Sequence, residues 1–119
     1  MPLRIPKRLA AHGNSIAQKR SSEQEREVAE RTKSRLVRGS GNQHVKGDCR
    51  KRGVARIECK TTSSKSFSVT LDMLDKLEAA ARVSHERPVL VVEFLKNGKP
   101  WRSVCIVDDS LLDELAELQ

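Results

Sequence analysis

The chain has 119 residues and a formal net charge of +7 at pH 7, a length that fits one domain. Its longest apolar run, Pro88–Phe94, is broken by Glu93, so no stretch nears the roughly 20 residues of a membrane helix. Cys49, Cys59 and Cys105 lack CxxC or CxH spacing, which argues against a disulfide framework or structural zinc and for a reducing interior.

Residues 1–20 hold no acid, two prolines and five basic residues. They read as a basic arm, possible in composition for a transit peptide or a membrane-surface segment. From Ser21 onward the pattern turns helical. Ser22 and Glu25 have the spacing of a capping box, and Val28, Ala29, Thr32 and Leu36 form a stripe. Extended backwards, that stripe reaches Glu25 and misses Glu23, Glu27 and Glu30. Glu25 is therefore a carboxylate on or beside the buried face, or only a cap.

Arg38-Gly39-Ser40-Gly41-Asn42 reads as a turn where backbone can approach a ligand. Lys46–Arg50 and Val54–Lys60 read as strands of a hairpin, with Lys51-Arg52-Gly53 as a three-residue loop. This register pairs Arg50 with Val54 and Asp48 with Arg56. Side chains alternate, so Asp48, Arg56, Glu58 and Lys60 share a face, with Asp48 and Glu58 as diagonal neighbours. The opposite face carries Ala55, Ile57 and Cys59, which suit packing on a helix.

A Ser/Thr-rich segment with Lys65 and Phe67 follows. Thr70 caps a second helix with the stripe Leu71, Leu74, Leu77 and Ala81, ending near Ser84. Pro88–Leu95 is nearly all apolar, as for a strand buried on both faces. Asn97-Gly98 marks a hairpin leading to Trp101–Val107. Asp108 or Asp109 then caps a last helix whose Leu111, Leu112, Leu115 and Leu118 serve the core or, less favoured, a dimer interface. The fold class is α/β or α+β: helix, strands, helix, two strands, helix. The domain proper spans residues 21–119.

Residues 1–60 carry sixteen Lys/Arg against six Asp/Glu, and residues 61–119 carry seven against ten. The first half is thus the face expected to meet a polyanion. With three aromatics and no tyrosine, a stacked aromatic platform for single strands is not expected. His12, His44 and His85 are scattered and read as surface residues. Trp101 reads as cover for the core edge.

Asp48 and Glu58 are hard oxygen donors of the type Mg²⁺ takes, with Mn²⁺ as a substitute. Such an ion polarises a phosphoryl oxygen and acidifies a bound water. Lys60, two residues past Glu58, faces the same way and can orient the water or stabilise the charge that develops. The plain alternative is a surface hairpin with weak cross-strand ion pairs. Cys49 and Cys59 point away from this face and read as small packing residues.

Gly47-Asp48 and Ile57-Glu58-Cys59-Lys60, after a helix bearing Glu25 and the segment Arg38-Gly39-Ser40-Gly41, resemble the PD-(D/E)xK nuclease superfamily. Gly47 stands where the family's proline would. Over residues 20–107 the chain is most similar to small Holliday-junction resolvase-like members of archaea and phages. The resemblance implies a restriction-endonuclease-like core of helix, three-stranded meander, helix and further strands. It implies that Asp48, Glu58 and the Cys59 carbonyl bind Mg²⁺, with Glu25 completing the shell, Lys60 as the catalytic lysine and Ser40 near the scissile phosphate. Arg38, Ser40, Lys46, Arg50, Lys51, Arg52 and Lys65 become the expected DNA contacts. A homodimer cutting four-way junctions in the cytoplasm of a bacterial, archaeal or phage-infected cell is the expected setting. A repair or restriction-type nuclease on linear duplex, and a non-catalytic DNA-binding module, are the other expectations.

Overall fold

A computed structural model describes residues 7–37 and 48–118, with side chains from Lys19 onward. Helix α1 spans Lys7–Thr32 and strand β1 Arg35–Leu36. Strands β2 (Cys49–Lys51) and β3 (Ala55–Thr62) follow, then helix α2 (Leu71–Val83). Strands β4 (Arg87–Lys96) and β5 (Lys99–Ile106) lead to helix α3 (Ser110–Ala116). The five strands form one mixed sheet in the order β1-β2-β3-β4-β5. Only β3 and β4 pair in parallel among them, and α2 makes the crossover that parallel neighbours require.

The two long helices cover opposite faces. Val28 and Ala29 of α1 pack with Cys49, Ile57, Cys59 and Val91. Leu77, Met73 and Leu74 of α2 pack with Leu90, Val92 and Phe94. Odd-numbered β4 residues thus face α1 and even-numbered ones face α2, as strand alternation dictates. Leu90 to Val92 are all buried, in keeping with the expected two-sided central strand. Burying one such leucine stabilises the fold by about 1.5–3 kcal/mol.

Both long helices end the same way. At the end of α1, the Ser34 N–H donates to the Ala29 carbonyl at 2.8 Å and the Lys33 N–H to Glu30 at 3.3 Å. At the end of α2, the Glu86 N–H donates to Ala81 at 2.9 Å and the His85 N–H to Arg82 at 3.1 Å. These are Schellman closures, which need a left-handed residue at the turn. Lys33 (φ 56°) and His85 (φ 55°) fill that role where glycine would fit better. Thr70 caps α2 as expected, its hydroxyl accepting the Met73 N–H at 3.2 Å. Asn97 (φ 53°) and Gly98 (φ 75°) make the two-residue turn between β4 and β5, the left-handed pair of a type I′ hairpin.

Several expectations change. α1 begins at Lys7, so Ser22 lies inside it and no capping box forms there. Pro2 and Pro6 precede Lys7 in the sequence, so neither lies within α1. The helix stops at Thr32, and Leu36 is an exposed β1 residue. The paired part of the first hairpin strand is Cys49–Lys51, shorter than Lys46–Arg50 and further along. Leu71 projects outward from the first turn of α2, and Trp101 is 69% exposed. No residue of α3 is buried, so its leucines do not serve the core. Asp108, not the N-cap Asp109, makes the bond at the start of α3, accepting the Ser110 N–H at 3.1 Å. Arg87 joins that helix to β4 through a two-bond fork to Glu114.

Candidate active site

The β2–β3 loop has three residues, but they are Arg52-Gly53-Val54 rather than 51–53. Lys51 pairs with Ala55, Arg50 with Arg56 and Cys49 with Ile57. Gly53 takes the left-handed position with φ 72°. Moving the loop along by one keeps its length, so the parity that sets the faces survives while the pairing partners change. Continued by one step, the register brings Asp48 level with Glu58 instead of Arg56. Beyond this point β2 gives out while β3 runs on to Thr62.

Where β2 ends, Asp48 takes over. Its Oδ2 accepts the Cys59 N–H at 2.7 Å, and its own N–H donates to the Ile57 carbonyl at 2.7 Å. By strand alternation the Cys59 carbonyl points to the same edge as its N–H. Two further bonds fasten α1 there. Gln24 Nε2 donates to the Lys60 carbonyl at 2.9 Å, and the Cys49 thiol donates to the Glu25 carbonyl at 3.3 Å. Each charged residue of the candidate site therefore sits beside, or makes, a tie between elements. Gln24 is next to Glu25, Cys49 next to Asp48, and Cys59 lies between Glu58 and Lys60.

The charges feel one another. Burial pushes the Glu25 carboxyl above its ordinary pKa, and Asp48 and Glu58 add to that while Lys60 opposes it. Burial likewise raises Asp48, helped by Glu58 and opposed by the Cys59 N–H and Lys60. Lys60 Nζ lies 3.4 Å from Glu58 Oε1. Glu25, Asp48, Glu58 and Lys60 thus form one electrostatic group drawn from α1, from β3 and from the residue just before β2. The donor types are hard oxygens suited to Mg²⁺. Among the described residues, no three His, Cys, Asp or Glu side chains are arranged to enclose a metal ion.

Cys49 and Cys59 are buried in the α1-side core, away from the charged face as expected. Arg50, Lys51 and Arg52, expected at a basic tip, line a cleft of about 710 Å³ with Lys33, Arg35 and Arg56. No acid lines it among the described residues. Lys33 and Arg35 join it because β1 pairs with β2, placing Arg35 opposite Arg50. Lys65 lies elsewhere, near the β4–β5 turn. Arg38, Ser40 and Lys46 fall outside the described residues, as do Gly47 and His44.

Two buried acids organise the surroundings. Glu86 Oε2 accepts from Arg50 Nε at 2.6 Å and from the Gly53 N–H at 2.9 Å, and Oε1 accepts from Arg56 Nε at 3.2 Å. Burial alone would raise its pKa, yet these donors hold it below the usual carboxylate range. Glu93 receives a fork from Arg20, at 2.8 and 2.6 Å. Arg20 also reaches Glu23 and Glu27. The first acid pins the hairpin turn to the start of β4, and the second pins α1 to the middle of β4. Sequence reasoning missed both, along with Gln24. The one available signal was Glu93, a lone acid in an apolar run, which implies a buried cation nearby.

No helix among the described residues is long and apolar enough to cross a membrane. Comparisons with protein-family models, with curated proteins and with solved structures found no match, and what the chain does is argued from the geometry above.

Proposed function

We propose that the chain is a Mg²⁺-dependent endodeoxyribonuclease that hydrolyses phosphodiester bonds in branched DNA, four-way junctions above all. The observation that carries this reading is the electrostatic coupling of Glu25, Asp48, Glu58 and Lys60 beside the start of β2. A mere DNA-binding surface gains nothing from three carboxylates facing phosphate. The succession of helix, three-stranded antiparallel meander, helix and further strands also supports it, being the order that the resemblance to the PD-(D/E)xK superfamily implies.

The residues suit a divalent cation in kind. Burial first, and the neighbouring carboxylates after it, raise the proton affinity of Asp48 and Glu25, and a bound dication would offset both. Asp48, Glu58, Glu25 and the Cys59 carbonyl are the donors that would have to close on it, since no three acidic side chains among the described residues enclose an ion as they stand. When bound, it supplies Lewis acidity toward the phosphoryl group and a more acidic water. The protein's own groups do the rest. Lys60 places an ammonium beside Glu58, where it orients the attacking water and balances charge as the phosphorus–oxygen bond breaks. Lys33, Arg35, Lys51 and Arg52 hold the phosphates of the strand. A junction requires two symmetric cuts, so the reading includes a homodimer, with the exposed Leu112 and Leu115 of α3 and Leu118 just after it among the apolar surface available to it.

The test incubates four-way junction and matched linear duplex with the protein in Mg²⁺ or EDTA. Junction cleavage is expected in Mg²⁺ alone, and Lys60→Ala is expected to slow it by about 10²–10³-fold with binding unchanged. Cleavage of duplex alone would make it a linear-duplex nuclease. Binding without cleavage of either DNA in Mg²⁺ would leave a DNA-binding module, and full activity in Lys60→Ala would sink the site.

A further inference from the structure

A cavity of about 520 Å³ lies between the segment after β3 and the turn joining β4 to β5. Lys65, Phe94, Lys96, Trp101 and Arg102 line it, with no acid among the described lining residues. Phe94 packs into the α2-side core, so the floor is apolar while the rim is cationic. Trp101 is the puzzle. It is 69% exposed, and it stands in a cationic rim over an apolar floor rather than as an isolated surface residue; aromatic side chains so placed are enriched at binding surfaces. Lys96 Nζ stands 4.3 Å from its ring centroid, a cation–π contact. One ammonium covers one face, and an exposure that large leaves the other open. The partner of such a surface is a flat, apolar group joined to anions.

A nucleobase with its flanking phosphates has that chemistry. The bases of an intact duplex are already stacked, so an unpaired base is required. Phe67 and Phe94 both belong to the core, which leaves one indole and room for one base rather than a run of bases. The distance is also apt. Lys60 pairs with Val92, Thr62 with Phe94, and Phe94 with Arg102. Arg102, on the far wall of the cavity next to Trp101, therefore lies two residues along the strand and two strands across from Lys60, roughly 12 Å away. At about 3.4 Å per nucleotide of a stacked strand, that is three to four nucleotides.

We propose that this cavity binds an unpaired nucleobase of the substrate strand, stacked on Trp101, with its phosphates held by Lys65, Lys96 and Arg102. The inference rests on the nuclease reading and narrows the substrate to DNA with an open or frayed position a few nucleotides from the cut.

Trp101 is the only tryptophan and the chain has no tyrosine, so intrinsic fluorescence reports on this ring alone. The full chain is titrated in EDTA with a labelled single strand, with the same strand carrying abasic sites, and with a blunt duplex. Anisotropy of the label follows binding in parallel. The intact strand is expected to quench Trp101. The abasic strand, equal in charge, is expected to bind about ten-fold or more weakly and to leave the emission unchanged. Trp101→Leu should lower single-strand affinity to the abasic level and keep duplex affinity, and Trp101→Phe should restore part of the loss. Equal affinity for intact and abasic strands, or binding without quenching, overturns the subsite. Junction cleavage by the same preparation separates the two ideas. Cleavage without quenching removes the subsite alone, whereas quenching without cleavage keeps the subsite and removes the nuclease.

Discussion

Replacing Asp48 by asparagine separates the two jobs of its carboxylate. An asparagine oxygen of the same shape can still accept the Cys59 N–H now held at 2.7 Å. What disappears is a half-buried negative charge facing Glu25 and Glu58. The folded-state pKa of Asp48 is raised, by burial first, so the folded protein binds this proton more readily than the unfolded chain. The ionised carboxylate then weighs against the fold at neutral pH, and the weight lifts as pH falls through the raised value. Relieving such a charge at a functional site is worth about 0.5–2 kcal/mol. The remaining bond weakens from charge-assisted to neutral, which returns about 0.5–1 kcal/mol. Taken at the centres of the two ranges, the balance is about 0.5 kcal/mol in favour of Asp48→Asn, which raises Tm by about 2–4 °C in EDTA. Mg²⁺ reverses the order. At ten times its Kd it stabilises the wild type by about 1.4 kcal/mol, a correspondingly larger rise in Tm, and the variant by much less. Scanning calorimetry of both proteins in EDTA and in Mg²⁺ reads all four values, alongside loss of junction cleavage in the variant. A variant that melts well below the wild type in EDTA, with a wild type indifferent to Mg²⁺, refutes the reasoning and leaves Asp48 a structural acid.

Glu86→Ala strands Arg50, Arg56 and the Gly53 N–H, and should cost about 3–5 kcal/mol in urea unfolding, with Glu86→Gln losing less. Because donors hold the Glu86 pKa below normal, its contribution is present above the unfolded carboxyl range and is lost as pH falls through the folded value. Acid unfolding of Glu86→Gln should accordingly show a shallower limb below about pH 4. Lys33→Gly relieves the left-handed lysine at the end of α1 and should raise stability by about 0.5–1 kcal/mol, seen as a higher urea midpoint at unchanged slope. Binding of non-cleaved duplex in EDTA should follow the four exposed cations of the basic cleft, with a log–log salt slope of about −3 to −4. Removing Lys51 and Arg52 together should flatten that slope by about 2.

Local signals in the sequence were strong enough to place most of the sheet and α2. Asn97-Gly98 turned where its φ preferences demand, Thr70 capped α2, and the apolar run became the central strand. The three-residue hairpin loop was legible because glycine tolerates a positive φ, but its position was not. Lys51 and Val54 compete for the ends of the loop, and only the anchoring of Gly53 and Arg50 by Glu86 decides between them. That acid lies more than thirty residues away. The termination of α1 was hidden for a related reason, since a lysine occupies the left-handed position that glycine usually announces. α3 misled because its leucine spacing describes an amphipathic helix without saying what, if anything, covers it. For the site, spacing brought Asp48, Glu58 and Lys60 to one face. The ties through Gln24, Cys49 and Cys59 rest on tertiary contacts that no spacing encodes.

The charge asymmetry between the two halves acquires a second meaning in the fold. Arg20, Arg50 and Arg56 come from the basic half, and Glu86 and Glu93 from the acidic half. They meet across the sheet as forks and shared bonds. A part of the excess therefore never reaches solvent; it sets α1 and the hairpin against β4. Breaking one such buried pair leaves an uncompensated charge, whereas replacing both members with apolar residues of matching size is often neutral. The pairs are thus better understood as specifying where α1 and the hairpin lie than as adding net stability, α1 through Arg20–Glu93 and the hairpin through Glu86. Where α1 lies is what brings Glu25 to Asp48 and Glu58. The charge left over sits in the cleft of Lys33, Arg35, Lys51 and Arg52, on elements that the paired arginines hold in place. Internal ion pairs and external cations are two uses of one basic sequence, and the first determines the geometry in which the second can grip a strand.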